Sequence, residues 1–204
     1  VVDNQVVYDL KDSRWITNYN QLKPADRKIV LTFDDGPSRH LESFLNILSE
    51  KDCKAVFFWQ SRLLHKDRLW KRVLQEGHQI GAHSINHKNL AKLTKEQQYK
   101  QIKNSIDKIE QITGKEVNYF RPPFGQYNED TMSILVDLDV VPIMWEISSF
   151  DWENKATPTK IVCNVANNTR DGSIILMHEL EQTVAILPDL IDRIREMRYD
   201  FTLL

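Results

Sequence analysis

The feature that most constrains the fold is an alternation of short apolar runs, each halted by turn residues, with stretches whose apolar residues recur at helical spacing. Ile29-Val30-Leu31-Thr32-Phe33 runs directly into Asp34-Asp35-Gly36-Pro37, the pattern of a buried strand stopped by turn chemistry. Leu41, Phe44, Leu45 and Leu48 then follow a helical period. Ala55 to Trp59 reads as a second strand, and Leu69, Val73 and Leu74 as the next helix, closed by Gly77. Gln79-Ile80-Gly81-Ala82 is a short strand running into His83. Thr94 and Gln97 fit a capping box ahead of Tyr99, Ile102, Ile106, Ile109 and Ile112, and Gly114 stops that helix. A strand over Asn118 to Arg121 is cut by Pro122-Pro123, and a helix through Met132 and Leu135 follows. Val140 to Trp145 is the next strand, then a helix across Ile161–Ala166 and a strand over Ser173–Met177. Val184, Leu187, Leu190, Ile191 and Ile194 mark the last helix, and Phe201–Leu204 a closing strand.

Such alternation implies βαβ units and a mainly parallel sheet, either open or closed into a barrel. The regular unit spans residues 28–204; residues 1–27 are polar and irregular and read as an N-terminal arm. A chain of 204 residues suits a single domain, and 41% hydrophobic with 27% charged residues is an ordinary globular balance. A net charge of −2 leaves no basic footprint, so nucleic acid is set aside as a partner. No apolar run approaches the ~18 residues of a membrane span. The chain begins without Met, so Val1 reads as a processed start, with any signal or anchor expected outside this chain. Cys53 and Cys163 lie in apolar stretches without metal-type spacing and read as buried free thiols, a disulfide depending on folded geometry.

In either architecture chemistry gathers at the carboxyl ends of parallel strands. Those ends carry Asp34 and Asp35, His83 with His87 four residues on, Arg121, Asp151-Trp152 and His178. Each has a plain structural explanation: surface histidines, helix-capping aspartates, a surface arginine pair, a core tryptophan, a satisfied core histidine. Their joint placement is the signal. Two imidazoles at i and i+4 plus a carboxylate from a neighbouring strand form an open metal set, of the kind catalytic Zn²⁺ and Fe²⁺ both use. Neighbouring strand residues face opposite ways, so a paired-carboxylate glycosidase is an awkward reading of Asp34-Asp35. A turn at Gly36-Pro37 lets both reach one cleft from different sides, one for metal and one as a base.

Taken in order, Thr32-Phe33-Asp34-Asp35-Gly36-Pro37, His83-Ser84-Ile85-Asn86-His87, Arg121-Pro122-Pro123-Phe124-Gly125, Asp151-Trp152 and Leu176-Met177-His178 resemble the NodB-type polysaccharide deacetylases, over roughly residues 28–204. The resemblance implies an α/β fold, a distorted, incomplete (β/α) barrel of about seven strands. It makes Asp34 the general base, Asp35, His83 and His87 the metal ligands, and Arg121 the residue that orients the base. His178 becomes the general acid supported by Asp151, and Phe124 supplies a backbone N–H to the oxyanion. Trp152 and Leu176 line the pocket for the acetyl methyl, and the rings of Trp152, Phe124 and Tyr127 are candidates to offer apolar faces to sugars. Many members read Asp-x-x-Asp-Trp in the fourth motif; here Ser148 holds the first position.

The implied reaction is metal-dependent removal of N-acetyl groups from an amino-sugar polymer. The expected cofactor is a divalent metal, Zn²⁺ first, with Co²⁺, Ni²⁺ and Mn²⁺ open. Peptidoglycan N-acetylglucosamine is the first choice of substrate; chitin oligomers, poly-N-acetylglucosamine and acetylxylan remain open. A monomer at a bacterial cell surface, or outside the cell, is expected. A silent carbohydrate-binding domain on the same fold, and a glycoside hydrolase, are the rival readings.

Overall fold

The computed structural model describes Val7 and residues 10–24 and 26–204. These residues contain eight strands and six α-helices, in the order β1 Lys28–Gly36, α1 Leu41–Glu50, β2 Val56–Trp59, α2 Trp70–Gln75, β3 Gln79–Ala82, α3 Lys95–Thr113, β4 Tyr119–Phe120, α4 Glu129–Asp137, β5 Val141–Pro142, β6 Ile147–Ser148, α5 Thr159–Ala166, β7 Ile174–His178, α6 Glu181–Glu196 and β8 Asp200–Phe201. The strand order is β5-β4-β3-β2-β1-β7-β6, with β8 added at the start of β1, and every strand pairing is parallel. β1 and β2 are buried along almost their whole length, as expected of strands covered by helices on one side and a barrel interior on the other.

The expected strand over Val140 to Trp145 divides in two. β5 and β6 stand at opposite ends of the strand order, yet only residues 143–146 separate them. Ile143 N–H still donates to Phe120 on the β4 side, and Glu146 N–H already donates to Ile174 at β7. Met144 and Trp145 therefore carry the chain from one sheet edge to the other, and so short a link is possible only because the sheet curls. The result is the distorted, incomplete barrel expected from the motifs. Apolar character runs unbroken through the crossing because Ile143, Met144 and Trp145 are all buried, which is why periodicity alone merges the two strands.

The residues before β1 lie along this seam. Ile16 pairs with Ile143, Val7 with Ile147 and Asn18 with Ser173. Trp15 is fully buried, its ring 4.4 Å from that of Tyr127, and Asn18 caps a 3-10 turn over Tyr19–Gln21. Residues 1–6, 8–9 and 25 of the expected arm fall outside the described residues.

Other local signals act as read. The Thr94–Gln97 capping box opens α3, and Gly114 closes it in the left-handed conformation at φ 66°. Two expectations need correcting. Tyr99 is exposed, and Gln98 takes the core position beside it, its amide donating to Leu93 and Asn128 and accepting from Thr131. Cys53 is buried but Cys163 lies on the exposed face of α5, since Ile161, Val165 and Ala166 are the residues turned inward; both thiols are free. Among the described residues no helix is long and apolar enough to cross a membrane.

Candidate active site

At the carboxyl end of β1, Asp34 continues the strand and is buried. Simple alternation would turn Asp35 away from it. Instead Asp35 adopts φ 70° and the β1–β2 register slips between Asp34 and Gly36, so this bulge re-aims the second carboxylate toward the same cleft. Gly36 is required here by close approach: a Cβ at this position would sit 1.7 Å from Glu179 Oε1. The Glu179 carboxylate in turn accepts from Trp59 Nε1 (2.8 Å) and Ser38 N–H (2.8 Å), fastening the Asp35 loop to β2 and β7.

Asp35, His83 and His87 each present one ligand atom, all within 4.8 Å of one another. Asp35 Oδ1 lies 3.3 Å from His87 Nε2 and 3.6 Å from His83 Nε2. Tetrahedral coordination with bonds of about 2.0–2.2 Å places neighbouring donors roughly 3.3 Å apart, so the spacing fits one small divalent ion. His83 Nδ1 meets the Arg121 carbonyl at 2.7 Å; the carbonyl only accepts, so Nδ1 carries a proton, and Nε2 is the ring nitrogen turned to the cleft. The i, i+4 histidines meet through a tight turn rather than a helix: Ser84 and His87 have φ 65° and 60°, and Ser84 Oγ accepts from His87 N–H. Burial lowers the His87 pKa, against the raising charge of Asp35, which keeps the ring neutral and able to ligate. For Asp35 burial acts upward, but His83, His178, His87 and the Gln60 hydrogen bond outweigh it and hold the carboxyl below its ordinary value.

Arg121 is fully buried behind Asp34. Its Nη1 donates to Asp34 Oδ1 and to Thr32 Oγ1, both at 2.7 Å, and its Nη2 to the Met144 carbonyl at 2.8 Å. The guanidinium lies over the Phe58 ring, 4.3 Å from its centre. Asp34 is thus held by one oxygen, and its free Oδ2 lies 3.7 Å from His83 Nε2 at the metal set.

Across the cleft His178 is seated on Asp151. The Asp151 carboxylate accepts from His178 N–H (2.6 Å), from His178 Nδ1 (2.8 Å) and from Thr183 Oγ1 (2.7 Å). Burial works against the charged ring, but Asp151, Asp34 and Asp35 prevail and raise the His178 pKa to about 9. The ring is protonated at neutral pH, with Nε2 facing Asp35 Oδ2 at 4.0 Å.

These groups line a cleft of about 410 Å³ whose remaining wall is apolar: Pro122, Phe124, Trp145, Trp152, Leu176 and Leu180. Phe124, at φ 60° and 61% exposed, packs edge-on to His87 at 4.4 Å. Trp152, 43% exposed, does the same to His178 at 5.2 Å.

Of the residues expected at the site, Tyr127 alone stands apart: its ring packs on Trp15 and its hydroxyl donates to Asp12 at 3.2 Å, on the side of the N-terminal segment. Ser148 is fully buried, and among the described residues its hydroxyl has no hydrogen-bond partner. Sequence reasoning missed Gln60, which donates to Asp35 Oδ1 at 2.9 Å, as well as Glu179 and Trp145. The signal for Gln60 was present, since it is the first polar residue after the Ala55–Trp59 run and so stands at a strand end like the others.

Comparison with known proteins bears on this arrangement. A family model described as polysaccharide deacetylase matches residues 21–143. The peptidoglycan-N-acetylglucosamine deacetylase of Bacillus cereus is 35% identical over 189 residues, covering 86% of this chain and 69% of that protein. The solved structure of the Bc1960 peptidoglycan N-acetylglucosamine deacetylase matches with a TM-score of 0.85 at 28% identity, covering 93% of this chain and 90% of that one. A CE4 family pseudoenzyme from Bacillus anthracis, BA3943, matches with a TM-score of 0.84 at 26% identity, covering 92% of this chain and 66% of that one, and a mutant of it is described as having restored enzymatic activity. The chain spans 51% of one curated relative's length and 38% of another's.

Proposed function

The chain belongs to the polysaccharide deacetylase family, and from that premise we propose that it hydrolyses N-acetyl groups on an amino-sugar polymer in a metal-dependent reaction. Because this fold also serves a pseudoenzyme, membership alone does not carry the reading. The observation that carries it is the pairing of two opposed proton-handling groups, Asp34 on Arg121 and His178 on Asp151, on either side of a set of two imidazoles and one carboxylate.

Asp35, His83 and His87 would hold a divalent ion, which would supply Lewis acidity and lower the pKa of a water there. Asp34, held through Oδ1 by the Arg121 guanidinium, accepts the water proton through Oδ2 as the water oxygen bonds to the acetamide carbon. The protonated His178 gives its Nε2 proton to the sugar nitrogen as the C–N bond breaks, leaving acetate and a free amine. Leu176, Trp145 and Trp152 exclude water around the acetyl methyl, and the exposed faces of Phe124 and Trp152 flank the path of a polymer across the cleft. Zn²⁺ suits the two-imidazole, one-carboxylate set.

Peptidoglycan N-acetylglucosamine is the proposed substrate, supported by the name of the Bacillus cereus relative, and a cell-surface location follows from it. The test is acetate release from peptidoglycan, chitooligosaccharides, poly-N-acetylglucosamine and acetylxylan, before and after chelation and Zn²⁺ return. Peptidoglycan is expected to yield acetate, chelation to abolish it and Zn²⁺ to restore it. No acetate from any N-acetylated glycan with the ion supplied would sink the proposal.

A further inference from the structure

β2 supplies no residue to the metal set, yet its end touches both loops that do. Ser61 N–H donates to Ser84 and Arg62 N–H to Ile85, inside the turn that carries His83 and His87. Gln60 N–H donates to the Gly36 carbonyl, one residue beyond Asp35, and its side chain reaches Asp35 itself. Gln60 Nε2 donates to Oδ1 at 2.9 Å, the oxygen that both histidines face. Arg62 Nε donates to Gln60 Oε1 at 3.0 Å. The amide orientation is therefore fixed by chemistry at both ends: a guanidinium only donates and a carboxylate only accepts, so the Gln60 oxygen must face Arg62 and its nitrogen Asp35.

From this we infer that Gln60, oriented by Arg62, is a positioning residue for the metal ligand Asp35 and sets how tightly the site holds its divalent ion. The inference rests on the metal-binding reading of Asp35, His83 and His87. A carboxylate on a turn can rotate about its last torsion; a donor on one lone pair of Oδ1 leaves the other directed between His83 and His87. The ion then meets a ligand already in place. Gln60 is buried, whereas the Asp35 side chain is 36% exposed, so without Gln60 water takes the freed lone pair and the carboxylate loses its fixed aim rather than its solvation. Outer partners of this kind typically alter metal affinity by roughly 10- to 100-fold.

The experiment uses the full chain and two metal readouts. Zn²⁺ affinity is measured by competition with a chromophoric chelator, and site geometry by the visible spectrum of the Co²⁺-loaded protein. Gln60→Met keeps length and bulk but removes the donor; it is expected to weaken Zn²⁺ binding roughly 10- to 100-fold and to change the Co²⁺ spectrum. The Tm of the metal-free protein should stay close to wild type, which separates positioning from scaffolding. Arg62→Met, an exposed position, is expected to weaken binding in the same direction by less, and it decides the matter if Gln60→Met does not fold. Wild-type affinity and spectrum in Gln60→Met, or unchanged affinity in a sole folded Arg62→Met, overturn the inference while Asp35→Ala still loses the ion. A wild-type chain that binds no ion overturns the metal reading, and this inference with it.

Discussion

The two sides of the cleft use the same side chain for opposite ends. On the β3 side, His87 is pushed toward its neutral form by burial, and His83 has its proton held on Nδ1 by a backbone carbonyl. On the β7 side, desolvation also works against the charged form of the part-buried His178, but a carboxylate with two hydrogen bonds to it reverses the effect and keeps the ring charged. Burial alone leaves an imidazole a ligand; burial with a dedicated carboxylate makes it an acid. The difference lies in the second partner: a carbonyl accepts one proton bond without charge, whereas Asp151 brings a full negative charge.

Substitutions can break this division. The largest effect is expected on the ligand side: Asp35→Ala or His87→Ala should lose bound metal and acetate release together, read by elemental analysis and turnover. Asp34→Asn should keep the metal and lose about 100- to 10,000-fold in kcat, the usual range for a general base. Retention of normal turnover in a metal-loaded Asp34→Asn protein would end the base assignment. Asp151→Asn sharpens the other side. Wild-type activity is expected to fall on the alkaline side as His178 deprotonates, and Asp151→Asn should move that limb to lower pH, toward ordinary imidazole values.

The same raised pKa acts on stability. The folded ring binds its proton more tightly than the unfolded one, so its contribution is complete below about 6.5 and is lost as pH rises through about 9. Denaturant titrations across that window should show a decline that Asp151→Asn flattens. The smallest effect is expected from Trp152→Ala, which should raise KM for polymer more than it lowers kcat, since the exposed ring flanks the proposed polymer path while only packing edge-on to His178.

Much of this was legible in the residues, for identifiable reasons. Strand ends in a parallel sheet converge, so a list of polar residues at those ends is already close to a list of cleft residues. Asp35 needed more than alternation: only its left-handed φ and the register slip bring it in. Gln98 and Tyr99 defeat the helical pattern because polarity does not imply exposure at this position: Gln98 is satisfied inside by Leu93, Asn128 and Thr131. Glu179 was hidden for a related reason, being a buried carboxylate whose donors, the Trp59 indole and the Ser38 amide, are far away in sequence. Tyr127 follows the third motif closely, but the chain turns after Gly125 and carries it to Trp15 instead.

Arg121 spans more than the base it steadies. Its donors end on β1, at Thr32 and Asp34, and on the carbonyls of Ile143 and Met144, where the chain crosses between sheet edges. Its removal would strand a buried carboxylate and loosen that crossing, a loss of about 3–5 kcal/mol for the broken ion pair alone. His87, at the solvent edge of the cleft, carries no such duty. The guanidinium is therefore a joint shared by cleft and seam: a disturbance where the chain crosses from β5 to β6 is felt at the carboxylate of Asp34, and the reverse.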